Sequence, residues 1–334
     1  MTDVLIIGSG PAGLTAGIYA KRAGLSVLIA EKEYLGTGQI AQTAAVDNYP
    51  GMPGVSGYDL GEAFRNHAAS LGVEFFDGSA QYLKRLGADP ESEKYRGRVN
   101  GGLLRTDAGA YWECLFDTDE KVTAKTVIYA VGCTYRTLHI PGELALLGKK
   151  IHFCATCDGT FYEGKTVAVI GGSQMAATDA LYLSGVAQKV LIIYRGRVLR
   201  AARAEVDRIN ACDNIEVIYD AVPWAFEETS DGVAIRIADG RTITADGVFE
   251  AVGMVPQTAN LQGVVSMDTG GFIIADETGE TSAPGFFAAG DVRTKPLRQV
   301  ITACADGANA ALSAERFIKT GVFTSRQMEM AVYI

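Results

Sequence analysis

No stretch of this chain stays apolar for anything near the roughly 20 residues that a bilayer-crossing helix needs, which sets a membrane-spanning protein aside. Positive charge is short as well. The 334 residues carry a formal charge of −9, and a field of that sign disfavours both nucleic acid and anionic lipid, so no nucleic-acid or membrane partner is expected. Cysteine is too sparse for a disulfide scaffold: of six, Cys114, Cys133, Cys212 and Cys304 stand alone, as buried inert thiols do. The first apolar stretch, residues 4–7, is too short for a signal-peptide core, follows no basic leader and runs straight into glycine, so the expectation is a cytoplasmic protein.

What is present is ordinary in composition and repetitive in order. Hydrophobic residues at 48% and charged ones at 21% are those of a globular protein, and the length exceeds one comfortable core, which predicts two domains. The same unit then occurs twice. Residues 4–31 and 167–195 each run apolar strand, glycine turn, alanine-rich helix, apolar strand, which is a βαβ unit. In the first copy the pattern predicts strands at 4–7 and 27–30 around a helix from Pro11 to about Ala23, stopped by Gly24; in the second, strands at 167–170 and 190–193 around a helix ending near Leu183.

Two such units predict an α/β fold of two doubly wound Rossmann-like domains, with ligands at the carboxyl ends of parallel strands. Residues 87–125, between the copies, alternate as antiparallel strands do, while residues 247–253 and 285–291 look like strand ends carrying glycine turns. That order predicts an inserted second domain, residues 116–245, inside a discontinuous first one, residues 1–115 and 246–334.

The first glycine turn, Gly8-Ser9-Gly10-Pro11-Ala12-Gly13, follows a strand and opens a helix. Gly8 serves the tight turn, Gly10 the approach of a pyrophosphate, and Gly13 the close packing of helix on strand; the helix terminus faces the phosphates with its partial positive charge. Glu31 follows at the end of the second strand, where a carboxylate can bond ribose hydroxyls.

Cys154 and Cys157, in Phe153-Cys154-Ala155-Thr156-Cys157-Asp158-Gly159, are spaced to act together. A Cys-x-x-Cys pair at a helix start brings both sulfurs to one side, and the helix terminus lowers the thiol pKa, which is the requirement for redox exchange. Half of a zinc site is the rival reading, but no second pair supplies the remaining ligands, and strand geometry is expected to turn His152 away. Asp158 is equally readable as a cap or as part of an Asp-Gly turn.

Over nearly its whole length the chain resembles the low-molecular-weight thioredoxin reductases. The resemblance implies FAD in the first domain, with Gly38, Gln39 and Asn48 wrapping it, Ala130-Val131-Gly132 as the crossover turn, and Gly290-Asp291 with Arg298-Gln299-Val300 as the second FAD motif. Asp291 is then expected on the ribityl chain, and Arg298 and Gln299 near the ring system. It further implies that Cys157 lies nearer the flavin and accepts its electrons, that Cys154 attacks thioredoxin or a thioredoxin-like protein, that Asp158 donates a proton, that the inserted domain rotates, and that the protein is a homodimer.

The second nucleotide motif departs from the family. Gly171-Gly172-Ser173-Gln174-Met175-Ala176 has serine where the family pattern Gly-x-Gly-x-x-Ala has its second glycine, and Tyr194-Arg195-Gly196-Arg197-Val198-Leu199-Arg200 keeps only Arg195 and Arg200 of His-Arg-Arg-x-x-x-Arg. These losses make ferredoxin the expected donor in preference to NADPH, as in the minority of such reductases that lack the motifs. A plant-type ferredoxin near −400 mV against thioredoxin near −270 mV leaves about 130 mV, or roughly 6 kcal/mol for two electrons. Residues 189–208 hold six basic and two acidic residues, a patch suited to an acidic protein or, more plainly, a solvated face. Tyr333, in the apolar tail, is readable as a flavin-stacking residue or as part of an end tied to a partner subunit. Beside the ferredoxin reading stand an ordinary NADPH-dependent thioredoxin reductase, an oxygen-using disulfide-forming oxidase, and an FAD-holding redox sensor without turnover.

Overall fold

The apolar run at the amino terminus forms the strand Thr2–Ile7, whose last four residues are fully enclosed, as a strand covered on both faces requires. This fold is that of a computed structural model, which describes residues 1–32, 37–43, 45–87, 95–99, 102–106 and 109–324. Thr2–Ile7 lies between two parallel neighbours, Val27–Glu31 and Lys121–Tyr129. The sheet continues to Glu74–Asp77 on one side and, through antiparallel pairing, to Tyr111–Phe116 and Ala80–Leu86 on the other; Phe286–Ala288 joins parallel to Lys121–Tyr129. The helix Pro11–Arg22 starts with proline, whose missing N–H costs nothing there, and is followed by left-handed Gly24. Its small residues receive the long helix Val300–Thr320, where a Cβ on Gly307 would come within 2.1 Å of the Ala12 carbonyl oxygen.

The second unit repeats the plan. Its parallel sheet runs Ile151–His152, Gly247–Glu250, Thr166–Ile170, Lys189–Ile193, Ile215–Ile218. The helices Gln174–Ser184 and Arg203–Ala211 contribute to one apolar layer with Val167, Val169, Ile192 and Phe249, while Ala168, Ile170, Ile193 and Val248 meet the three-stranded antiparallel sheet Pro223–Glu228, Val233–Ile237, Thr242–Ala245. The alternation along each strand puts successive residues into opposite layers.

Both expected βαβ units are present, each within a residue or two of its expected bounds. Residues 95–99 and 102–106 pair antiparallel, as do Tyr111–Phe116 and Lys121–Tyr129. The boundaries differ from 115/116 and 245/246. One unit holds residues 1–134 and 255–334, the other residues 135–254. The cause is non-local: Lys121–Tyr129 pairs with Thr2–Ile7 and so belongs to the first sheet, and Gly247–Glu250 pairs with Thr166–Ile170 and so belongs to the second. Among the described residues no helix is long and apolar enough to cross a membrane.

Candidate active site

In the first unit, Gly8 takes a φ of 104°, a conformation L side chains rarely adopt, and a Cβ there would lie 2.5 Å from the Ala130 oxygen. Ala130 is held by its N–H donating to the Ile7 carbonyl at 2.7 Å, so the crossover turn and the glycine turn are fixed against each other. Gly13 is equally closed: a Cβ would lie 1.9 Å from the Gly8 oxygen. Gly10 is open, with no atom within 3.8 Å of an added Cβ, and the nearest is Gly38 Cα. It caps the helix without a side-chain bond, leaving first-turn N–H groups of the helix for a ligand. Glu31 accepts at Oε2 from both the N–H and the hydroxyl of Ser9 at 2.9 Å, so Ser9, fully buried, braces the carboxylate.

The second half of this cradle is built around Asp306 of the long helix. Its carboxylate accepts from Gly290 N–H at 3.0 Å, from Arg293 at 2.9 and 2.8 Å and from Lys295 at 2.8 Å. Burial alone would raise that carboxyl, but the bonds from Arg293 and Lys295 outweigh it and hold it below the usual range. Asp291, one residue past Gly290, has a buried Oδ1 with no hydrogen-bond partner. Burial pushes Asp291 up to about 6 against the pull of Lys295 and Arg298, with Asp306 adding to the rise. The Arg298 guanidinium stacks 4.2 Å from the Phe272 ring centroid and donates to the Asp291 carbonyl at 3.3 Å. Asn48 and Gln299, 251 residues apart, meet at 3.0 Å, and Gln299 also closes a capping box with Thr302 ahead of Val300. Gln39 is exposed on the 3-10 turn Gln39–Gln42 behind left-handed Gly38; Gly132 is left-handed and accepts from Gln257 N–H at 3.3 Å.

In the second unit Cys154 and Cys157 form a disulfide, with Cα atoms 5.2 Å apart. Cys154 caps the short helix Ala155–Asp158, and its carbonyl accepts from the N–H groups of Cys157 at 3.2 Å and Asp158 at 3.0 Å, so the turn itself brings the sulfurs together. His152 faces Asp158 and Tyr162. Its Nδ1 lies 3.4 Å from Asp158 Oδ2, and its Nε2 lies 2.9 Å from the Tyr162 hydroxyl. Of the lone cysteines, Cys114 and Cys133 are buried and pushed up to about 12, chiefly by that burial, whereas Cys212 and Cys304 are half-buried. Among the described residues no group of three or more His, Cys, Asp or Glu is placed to hold a metal.

The second glycine turn is covered. The Tyr194 ring, 8% exposed, lies so close to Gly172 and Gly196 that an added Cβ would come within 2.4 and 2.7 Å of it. Arg200 N–H donates to the Gly172 carbonyl at 2.7 Å, and Ala202 N–H to the Gln174 side chain at 2.8 Å, laying residues 200–202 along the turn. The expected basic patch is partly neutralised by acids from inside and outside it: Lys189 pairs with Glu216 at 2.7 Å, Arg197 with Asp220 at 3.3 Å and Arg203 with Asp207 at 3.8 Å.

One Rossmann turn left open, one closed, and a Cys-x-x-Cys disulfide between them in sequence agree with what comparison finds: the family model for pyridine nucleotide-disulphide oxidoreductases matches residues 2–307. The chain belongs to that family. A Clostridium pasteurianum relative, named as a 34.2 kDa protein in a rubredoxin operon, is 36% identical over 95% of this chain and 97% of its own. The thioredoxin reductase of Listeria monocytogenes is 34% identical over 95% of this chain and 94% of its own. The crystal structure of thioredoxin reductase from Streptococcus pyogenes superposes with a TM-score of 0.82 at 35% identity, covering 96% of this chain and 98% of that one.

As a member of this oxidoreductase family, of the thioredoxin reductase type, the protein takes FAD as its cofactor. The first unit fits it: the space over Gly10, the uncapped helix start and the unpartnered Asp291 oxygen are what a pyrophosphate and a polyhydroxyl chain require. Sequence reasoning passed over Asp306, Arg293, Lys295, His152 and Tyr162. The Arg-x-Lys spacing of 293 and 295 carries no signal of a partner thirteen and eleven residues on, and His152 beside Phe153 is readable from sequence only against a metal site. Tyr333 lies outside the described residues.

Proposed function

We propose that the protein passes electron pairs from FAD through Cys154 and Cys157 to thioredoxin or a thioredoxin-like protein, as a cytoplasmic homodimer, and that its donor is ferredoxin rather than NADPH. The observation that carries the choice of donor is the Tyr194 ring over Gly172 and Gly196, where a dinucleotide would need the backbone bare. Arg195 and Arg200 remain of the phosphate grip, and they and Arg208, of the cations in residues 189–208, make no ion pair among the described residues, which suits them to an acidic carrier.

In this reading FAD supplies a centre that collects electrons singly and delivers them in pairs. Gly10, Pro11 and Ala12 present backbone to its pyrophosphate while Gly8 and Gly13 hold the turn tight behind them, Glu31 with Ser9 behind it takes the adenosine ribose, and Asp291 accepts from the ribityl chain. Gly38, Gln39, Asn48, Ala130, Gly132, Arg298, Gln299 and Val300 line the remainder. Cys157 receives the electron pair, Cys154 attacks the partner disulfide, and Asp158 supplies the proton that the leaving sulfur needs. The test is made on yellow protein without oxygen, adding NADPH and then reduced ferredoxin while flavin absorbance is followed. Bleaching by ferredoxin alone, with thioredoxin dithiol appearing, is the expected result. Bleaching by NADPH overturns the donor, and bleaching by neither leaves an FAD-holding sensor as the better reading.

A further inference from the structure

His152 ends the strand Ile151–His152 two residues before Cys154 and is 8% exposed, yet nothing in the reading above uses it. The carboxylate of Asp158 can only accept, which favours the ring proton on Nδ1 and leaves Nε2 to accept from the Tyr162 hydroxyl 2.9 Å behind it; burial first, and then the charges of Asp158 and Asp246, push that hydroxyl up to about 12, so it keeps its proton at neutral pH. The groups around the pair are few. Phe249, 5.5 Å away between ring centroids, is apolar; Glu250, the next residue, alternates to the opposite face of its strand, where Glu143 acts on it; Lys165 Nζ lies 5.6 Å from the Tyr162 ring centroid.

We propose that Tyr162, His152 and Asp158 form a proton relay behind the Cys154–Cys157 disulfide, with His152 as the positioning residue that holds the Asp158 carboxylate once its proton has gone to sulfur. The proposal rests on the disulfide being the redox centre. Opening the S–S bond takes two electrons, delivered from the bound flavin, and leaves two sulfurs that share two negative charges. One proton from Asp158 neutralises one sulfur, and the carboxylate left behind is held by His152 Nδ1–H. When the dithiol reduces a partner disulfide, that proton leaves with the partner's thiols, and Asp158, at its exposed edge, takes another from water. The rate therefore falls at the pH where Asp158 has no proton left to give.

The relay is tested with His152→Asn and, more lightly, Tyr162→Phe. Transfer from dithionite-reduced enzyme to thioredoxin is followed against pH, and alkylation of the dithiothreitol-reduced protein by iodoacetamide is followed in parallel. His152 Nδ1–H favours the ionised carboxylate, so without His152 the falling limb should move to higher pH by about one unit and, with Asp158 the weaker acid, the plateau should drop about tenfold. With less negative charge beside the sulfurs, thiol alkylation should move to lower pH by about half a unit, and Tyr162→Phe should move each profile in the same direction by less. A lower rate with neither profile displaced means that His152 only fills space, and wild-type profiles in both variants overturn the relay equally. Circular dichroism and flavin content check folding; if His152→Asn does not fold, Tyr162→Phe decides. Should the wild type reduce no thioredoxin, the functional reading fails, while alkylation still decides the relay.

Discussion

The two glycine turns of this chain start from the same strand-turn-helix plan and end differently. Around Gly8 and Gly13 the backbone is locked so tightly that only Gly10 faces open space; around Gly171 and Gly172 the opening is filled by the Tyr194 ring and bridged by Arg200. A Rossmann fold survives the loss of its ligand site because strand pairing and the two apolar layers, not the phosphate contacts, hold it together. What the site loses first is access. Tyr194 replaces the first residue of a phosphate-gripping motif, and its ring turns inward onto glycine, to be 8% exposed, where a cationic side chain would stay in water.

The contrast is broken most severely at Gly10. An added Cβ there meets nothing nearer than 3.8 Å, so Gly10→Leu should fold but lose FAD affinity by more than about a hundredfold, read from flavin content and equilibrium titration. In the second turn the same kind of change strikes protein: Gly172→Ala drives a methyl into the Tyr194 ring and should cost about 1–3 kcal/mol in denaturant unfolding of the protein, recovered when Tyr194→Ala is added. Reopening the turn needs the ring removed as well. Gly196→Arg alone places its Cβ 2.7 Å from that ring, so Ser173→Gly with Gly196→Arg should gain little, while Tyr194→His in addition should raise flavin bleaching by NADPH at least about tenfold.

The smallest effect concerns how the open turn's partner motif reads pH. Asp291 titrates near 6 in the protein alone against an ordinary value of 3.8, so the stability it contributes is present below about pH 4 and is lost as pH rises through about 6. A ligand hydroxyl donating to Oδ1 favours the ionised form. FAD should therefore bind more tightly at pH 7 than at pH 5, by up to about tenfold, and Asp291→Asn should flatten that dependence in a fluorescence titration.

How far sequence carried these conclusions depended on the range of the interaction. The glycine turns, the helix starts and the Cys-x-x-Cys turn are made by residues within a few positions of one another, and their geometry follows from φ preferences and helix spacing alone. The unit boundaries did not follow, because alternation identifies Tyr111–Phe116 and Lys121–Tyr129 as strands without saying which sheet they join. Asn48 and Gln299 were each legible as site residues, but not as partners. The inward turn of Tyr194 was legible only as a departure from a motif. The contacts of His152 with Asp158 and Tyr162 were not legible, because alternation along a strand of two residues cannot say what its buried face meets.

Asp306 has a consequence for how the protein holds its cofactor. Four donors from residues 290–295 converge on that one carboxylate, so the loop and the long helix already hold each other without any help from a ligand. The loop bearing Asp291 is thereby tied to the long helix by the protein's own charges, so that whatever loosens Asp306 loosens the cofactor motif with it.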